Sequence, residues 1–314
     1  MWRDIVRKPS PAAENTGEAI TLLDRSPVPD RTRLKVVAFT VIGLYAISIT
    51  ALYFLWYKKG KLSPFHWFDD IGEWNQMDKA GHIFGGYFQT MWGYELMRYC
   101  GLSNNRSALI GAMLGVSIQS SIEGMDGFSS KYGASRSDLG ANLIGALIAA
   151  CQYWMWEEQR IMLKYSYDGG SYPKGELSER ASELFGNTIF DKGLKDYNHM
   201  TLWASVNPSK FFPGMYPKWL CYSVGYSAEN LYGGFENKWI DKDGNKHDRT
   251  DLPRMRIINF SLDADLPQLS NGNKAELTTF KILNVFKVPF PRVQHKWEAA
   301  KYINPNPNGW GRDE

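Results

Sequence analysis

From Val36 to Tyr57 the chain reads VVAFTVIGLYAISITALYFLWY, 22 residues without a charge. At 1.5 Å of rise per residue such a run makes a helix of about 33 Å, enough for a hydrocarbon layer of about 30 Å. Tyr53, Trp56 and Tyr57 gather at its end, and Lys58, Lys59 and Lys61 follow. That is the order in which an aromatic belt and a charged flank meet a membrane surface. A membrane anchor is the reading carried forward; a buried core helix or the hydrophobic part of a late signal sequence would share the pattern. Arg25, Arg31, Arg33 and Lys35 precede the run, so flanking charge leans only slightly towards an inside N-terminus.

Apolar periodicity predicts three further helices. The first runs from Met77 to Tyr99, with Asp78 near its start, Gly101 past its end, and Gly81 and Gly85 one turn apart. The second begins near Ser107, carries Gly111 and Gly115, and turns polar at Gln119. The third covers about Ser135 to Gln159, with Ala141 and Gly145 at the same spacing. Small residues four apart let helix backbones approach closely. After Arg160 the texture changes. A loop at Tyr167–Pro173 precedes a short helix between Glu176 and Lys195. Strand character then appears at Trp219–Tyr226, Arg256–Ala264 and, more weakly, Ile282–Val288, with a polar turn over Asp241–Asp251.

The predicted fold is therefore mainly α. A membrane-anchored four-helix unit encloses a buried polar cluster, and a smaller α+β part with a few antiparallel strands follows. The division reads as a polar arm at 1–33, the anchor at 34–57 and a helical polar-cluster domain at 58–165. A mixed C-terminal part at 166–300 and a tail at 301–314 complete it.

Composition narrows the picture. The 314 residues are 44% hydrophobic, 14% aromatic and 22% charged, which excludes a disordered chain and points to about two domains. A mean hydropathy of −0.37 excludes a chain embedded in lipid throughout. A net charge of +3 argues against a nucleic-acid binder, which needs concentrated Lys and Arg. Cys100, Cys151 and Cys221 stand far apart and show no metal spacing.

Candidate chemistry concentrates between residues 78 and 142. Asp78 and His82 are i,i+4 on one helix face, with Lys79 beside them. Gln119, Glu123 and Asp126 share a face of the next helix, and Ser135, Asp138 and Asn142 a face of the third. Ionisable groups beside hydrocarbon are expensive and are expected to turn inward and pair. The product is a cluster of one imidazole, one lysine and up to four carboxylates. Three readings stay open for it. It locks helix ends, with Ser135 as an N-cap and Asp138 at a favourable helix start. It is an acid/base or nucleophilic site, with His82, Glu123, Asp126, Ser135 and Asp138 as catalytic candidates and Asp78, Lys79, Gln119 and Asn142 around them. Or it binds a metal or a lipid headgroup, although no H-x-x-x-H or H-E-x-x-H spacing supports a metal, and none is assigned.

Lesser candidates are His66 with Asp69 and Asp70, read as part of an interfacial loop, and His199, His247 and His295, read as isolated. Asp263 and Asp265 are expected on one solvated strand face. Asp241, Asp243 and Asn245 hint at a calcium loop without the glycine and glutamate it requires.

The runs DKAGHIFGGY and SIEGMDGFSSKYGASRSDLGANLIGA resemble the YfiM-like family of uncharacterised bacterial envelope proteins. The likeness extends into FHWFDDIGEWNQMDKAGH, NHMTLWASVNPSKFFP and YPKWLCYSVGYSAENLYGG, and through INFSLDADL to LNVFKVPFP. A more distant likeness links the Asp-Lys…His, Glu and Ser-x-x-Asp-x-x-x-Asn pattern to VanZ-like membrane proteins. The long polar arm departs from the short signal-like start of the family. The resemblance implies a location, the bacterial cell envelope, with membrane attachment, and no transferable reaction. The first functional reading is an accessory or structural envelope component without catalysis or cofactor, touching the lipid bilayer and other envelope proteins. The second is a membrane-surface enzyme acting on lipid or cell-wall precursors through the His/carboxylate cluster.

Overall fold

The structure, a computed structural model, describes residues 25–57 and 61–301. Most of the polar arm, Lys58, Lys59 and the tail beyond Lys301 lie outside them. Helix α1 spans Arg31–Leu52 and continues as a π-type turn over Tyr53–Tyr57. It starts five residues before the apolar run because Asp30 caps it: the Asp30 carboxylate accepts the backbone N–H of Thr32 at 2.8 Å and of Arg33 at 3.0 Å.

Helices α2 (Met77–Tyr99), α3 (Asn104–Gly127) and α4 (Arg136–Trp156) pack tightly on one another. Glycine makes this approach possible. A Cβ on Gly145 would meet the carbonyl oxygen of Ile83 at 2.0 Å, and one on Gly111 that of Thr90 at 2.6 Å. Gly86 and Gly93, rather than the expected Gly81, supply the close faces of α2; Gly81 faces open space. The tight unit is thus three helices. Helix α1 touches it near both of its ends, through Val37 against Met97 and Cys100, and through the Tyr57 hydroxyl, which donates to Asp126 Oδ1 at 2.6 Å.

Helices give way to sheet directly after α4. A five-stranded antiparallel sheet has the order β1 (Ile161–Tyr167), β2 (Met200–Val206), β3 (Leu220–Glu229), β6 (Met255–Ala264) and β7 (Arg292–Glu298). A hairpin of β4 (Lys238–Ile240) and β5 (Lys246–Asp248) stands apart. The helical stretch after Glu176 splits at Gly186 into α5 (Glu176–Phe185) and α6 (Ile189–Lys195). The weak strand expected over Ile282–Val288 is in part the end of α7 (Lys274–Leu283). Its remainder lies on the free edge of β1, where Tyr165 N–H donates to Val285 O and Lys287 N–H to Tyr165 O, both at 2.9 Å. Five residues later the chain enters β7 at the opposite edge. Five residues reach at most about 18 Å, whereas five flat strand spacings would need about 24 Å. The sheet is therefore curled.

Much of its enclosed face is polar, beside the buried Trp203 and Ile257, and much of its outward face is apolar. On the enclosed face Lys164 and Asp263, both fully buried, pair at 3.0 Å, and Ser205 donates to Asp263 at 2.7 Å. Asn259 donates to Ser227 and accepts from Gln294, each at 2.9 Å. On the outward face Tyr222 opposes Leu262, and Val224 opposes Phe260, which opposes Val293. All five are exposed, Phe260 by 50% and Val293 by 73%. The expectation that Asp263 and Asp265 face solvent is overturned: Asp265 is buried too, paired with Lys210 at 3.0 Å and bonded by Asn207. Interior cations hold both carboxylates.

Candidate functional site

A left-handed turn sets up the site. Trp74, Asn75 and Gln76 have φ of 49°, 51° and 62° immediately before α2. Side-chain-bearing residues pay for that conformation and keep it only where neighbours hold them. Here Trp74 N–H donates to Gly234 O at 2.7 Å, Asn75 Nδ2 to Met255 O at 3.3 Å and Arg256 to Asn75 O at 3.2 Å; Tyr226 bonds the same carbonyl. The sheet thereby fixes the first turn of α2. Met77 is fully buried there in a core with Met200, Ala228 and Leu231.

The first two turns of α2 carry Asp78, Lys79 and His82, and the C-terminal end of α3 and the N-terminal end of α4 converge on them. Lys79 Nζ lies 2.7 Å from Asp138 Oδ1, 2.8 Å from Asp70 Oδ1 and 3.1 Å from Asp78 Oδ2. Ser135 caps α4, its hydroxyl accepting the Asp138 N–H at 3.0 Å while donating to Asp70 at 2.6 Å. Glu123 Oε2 accepts the Ser135 N–H at 2.9 Å. His82 Nδ1 donates to Asn142 Oδ1 at 2.9 Å. Its Nε2 faces Glu123 Oε1 at 3.6 Å and Asp78 Oδ1 and Asp138 Oδ2 at 3.8 Å each.

The convergence expected from helical spacing therefore holds for Asp78, Lys79, His82, Glu123, Ser135, Asp138 and Asn142. Asp126 stands aside, bonded to Tyr57. Gln119 is one turn removed, its amide lying against Gly85. The hydrogen bonds of Ser135 go to Asp70, Ser137, Asp138 and Glu123, not to His82. Asp70, assigned to an interfacial loop, is a full member of the cluster, and Tyr197 joins it by donating to Asp78 Oδ1 at 2.9 Å. Both come from outside the helices, where no periodicity signals them.

Negative charge is in excess, and protonation equilibria respond. Burial, aided by the neighbouring Asp78 charge, pushes Asp138 up to about 8. Burial also raises Asp126 to about 7 against the opposing hydrogen bond from Tyr57, and raises Glu123. Burial alone would lower His82, but Asp78, Asp138 and Glu123 hold it above its usual value.

Elsewhere the histidines expected to be isolated have partners. His199 Nδ1 is 2.8 Å from Asp168, and His247 bridges Asp241 at 2.9 Å and Glu176 at 3.1 Å. His66 bonds the Tyr132 carbonyl, and His295 stacks on Trp297. Asp241 accepts the N–H groups of Asp243 and Asn245, so this segment is a self-bonded turn.

Among known families, the model of a predicted periplasmic lipoprotein family (DUF2279) matches residues 66–154. The chain is similar to that family over the stretch that holds the cluster. The match spans under a third of the chain and runs from His66 to near the end of α4. It supports the coarser likeness, to an uncharacterised bacterial envelope protein, and not the finer YfiM-like or VanZ-like labels. The location is the bacterial cell envelope, with membrane attachment. No curated protein and no solved structure matches.

Proposed function

We propose that this chain is an accessory, non-catalytic component of a bacterial envelope assembly, held at a bilayer by α1. One observation carries the reading. Of the 22 residues of α1 only Val37 is buried, and Phe39, Ile42, Leu44 and Ile47 are all well exposed. So much apolar side chain is costly in water and satisfied in hydrocarbon. Helix α3 is also long and apolar enough to cross a membrane, but its glycine face is spent on α2. The outward apolar face of the sheet offers a second surface for lipid or for another envelope protein. The commitments of Ser135 and Asp126 favour a cluster that ties three helix ends together over one that performs hydrolysis. The YfiM-like and VanZ-like resemblance fits the same reading.

The test is extraction of bacterial membranes with alkaline carbonate. The wild-type chain stays with the membranes, whereas Leu44→Lys combined with Ile47→Lys releases it. Each lysine near the middle of a span costs about 2.5–3.5 kcal/mol on insertion. Neither residue touches the Met97 and Cys100 contact. Unchanged extraction of the double variant overturns the anchor.

A further inference from the structure

The three carboxylate oxygens around His82 support an inference independent of how the chain meets a membrane. We propose that Asp78, His82, Glu123 and Asp138 form a binding site for a divalent first-row cation, of the Zn2+ or Mn2+ type. Each carboxylate has one oxygen fixed from outside: Asp138 Oδ1 and Asp78 Oδ2 by Lys79, Glu123 Oε2 by the Ser135 N–H. The other oxygen of each turns inward, Asp78 Oδ1 while also accepting the Tyr197 hydroxyl at 2.9 Å, so that Nε2 has three of them at 3.6–3.8 Å. These separations are too long for hydrogen bonds, which an imidazolium would shorten to about 2.7–3.2 Å with at least one partner. They are close to the separation of about 3.4 Å between ligand atoms on a tetrahedral ion with bonds of about 2.1 Å. Ligand atoms of Asp78, His82 and Asp138 lie within 4.8 Å of one another, whereas Glu123 Oε1, 3.6 Å from Nε2, stands outside that group and joins the ion as a fourth ligand by a small side-chain shift.

Two further observations point to the same occupant. Glu123 is 3% exposed, and its inward Oε1 accepts no hydrogen bond among the described residues. A buried carboxylate oxygen without a partner is expensive, and a cation at this spot satisfies it. His82 can adopt the arrangement of metal-binding histidines: Nδ1 lies 2.9 Å from the Asn142 side-chain oxygen, and in the tautomer in which Nδ1–H donates to it the lone pair of Nε2 faces the carboxylates. Charge balance agrees. With His82 neutral, the state in which its Nε2 can ligate, Asp70, Asp78, Glu123 and Asp138 set four negative charges against the single ammonium of Lys79, leaving three uncompensated when all four are ionised. One imidazole with carboxylates suits zinc, which takes both ligand types, and the carboxylates also suit the harder manganese. Asp78 is the most exposed of the four side chains, at 22%.

The full chain, purified in detergent and stripped with a chelator, is titrated with ZnCl2 and separately with MnCl2 by calorimetry. About one equivalent of at least one ion binds per chain. Glu123→Gln and His82→Gln each weaken that binding by at least about tenfold, and Asn142→Ala weakens it by about 10–100-fold. Glutamine at 123 retains an oxygen for the Ser135 N–H, and circular dichroism verifies the fold. Should a variant fail to fold, the visible spectrum of the wild-type chain with Co2+ decides. Tetrahedral bands support the site, and the spectrum of free aqueous cobalt overturns it. Less than about a tenth of an equivalent bound, or undiminished binding in both Glu123→Gln and His82→Gln, also overturns it.

Discussion

His247 shows how one residue couples a hairpin to a helix through its charge. Its ring stacks on Trp239 at 5.0 Å between centroids and bridges Asp241 and Glu176. The Asp241 hydrogen bond, reinforced by Glu176 against a slight burial effect, holds the imidazole above its usual 6.5. A raised pKa means that the stabilising contribution is fully present below pH 6.5 and is lost as pH rises through the raised folded value. Glu176 and Asp241 are depressed, chiefly by Arg249 and by His247 respectively, so their contributions persist above pH 4.5 and fade only in stronger acid. The hairpin is therefore held most firmly between about pH 5 and 6. Amide protection of Lys238–Asp248, corrected for the intrinsic base-catalysed exchange rate and followed with the imidazole NMR titration, is expected to fall above that window. His247→Gln is expected to remove the alkaline part of that dependence. At this scale the sequence was legible where partners sit on helix faces that spacing defines. Asp78 and His82 sit four apart on α2, whereas His247 and Glu176 are 71 residues apart, and Asp70 reaches Lys79 from a loop.

Elements built by close backbone approach were easier to read on α3 and α4, where Gly111, Gly115 and Gly145 meet neighbouring backbone, than on α2, where Gly86 and Gly93 replace the expected Gly81. A methyl at Gly145 would overlap the Ile83 carbonyl, so Gly145→Ala must push α4 from α2. Overpacking of this kind costs about 1–3 kcal/mol. Gly81 meets nothing within 4 Å on the same helix as Ile83, and Gly81→Ala is expected to be neutral or to stabilise by about 0.5–1 kcal/mol through helix propensity. Thermal unfolding of the two variants side by side checks the pair, and equal effects would remove the packing argument. The boundaries of α2 and the start of α4 followed from apolar periodicity and from Ser135 and Gly101, whereas α3 begins three residues before the expected Ser107 and α4 ends three before the expected Gln159. Strands β1, β2 and β7 were missed for a physical reason. IMLKYSY, MTLWASV and RVQHKWE alternate, but lysine, serine and glutamine occupy the enclosed side, so the pattern mimics polar loops.

At the scale of the whole molecule, that sheet and the helical cluster are joined by the left-handed turn at Trp74–Gln76, which rests on β3 and β6 and opens into α2. The sheet is thus a support for the site as well as a surface of its own. Its largely polar enclosed face makes an unusual pair of expectations. Asp263→Ala leaves Lys164 buried without its partner carboxylate, and breaking a buried pair in this way costs about 3–5 kcal/mol. Phe260→Lys, on the outward face, is expected to change stability by no more than about 0.5 kcal/mol, as surface substitutions do. It should nevertheless weaken flotation of the chain with lipid vesicles when the α1 span is already crippled by Leu44→Lys and Ile47→Lys. Urea unfolding and vesicle flotation of the same preparations separate the two effects. In a sheet with an ordinary apolar core the roles would be exchanged, the aromatic carrying stability and the aspartate facing water. A large loss of stability from Phe260→Lys, with little from Asp263→Ala, would show that the enclosed polar face does not hold this half of the molecule together.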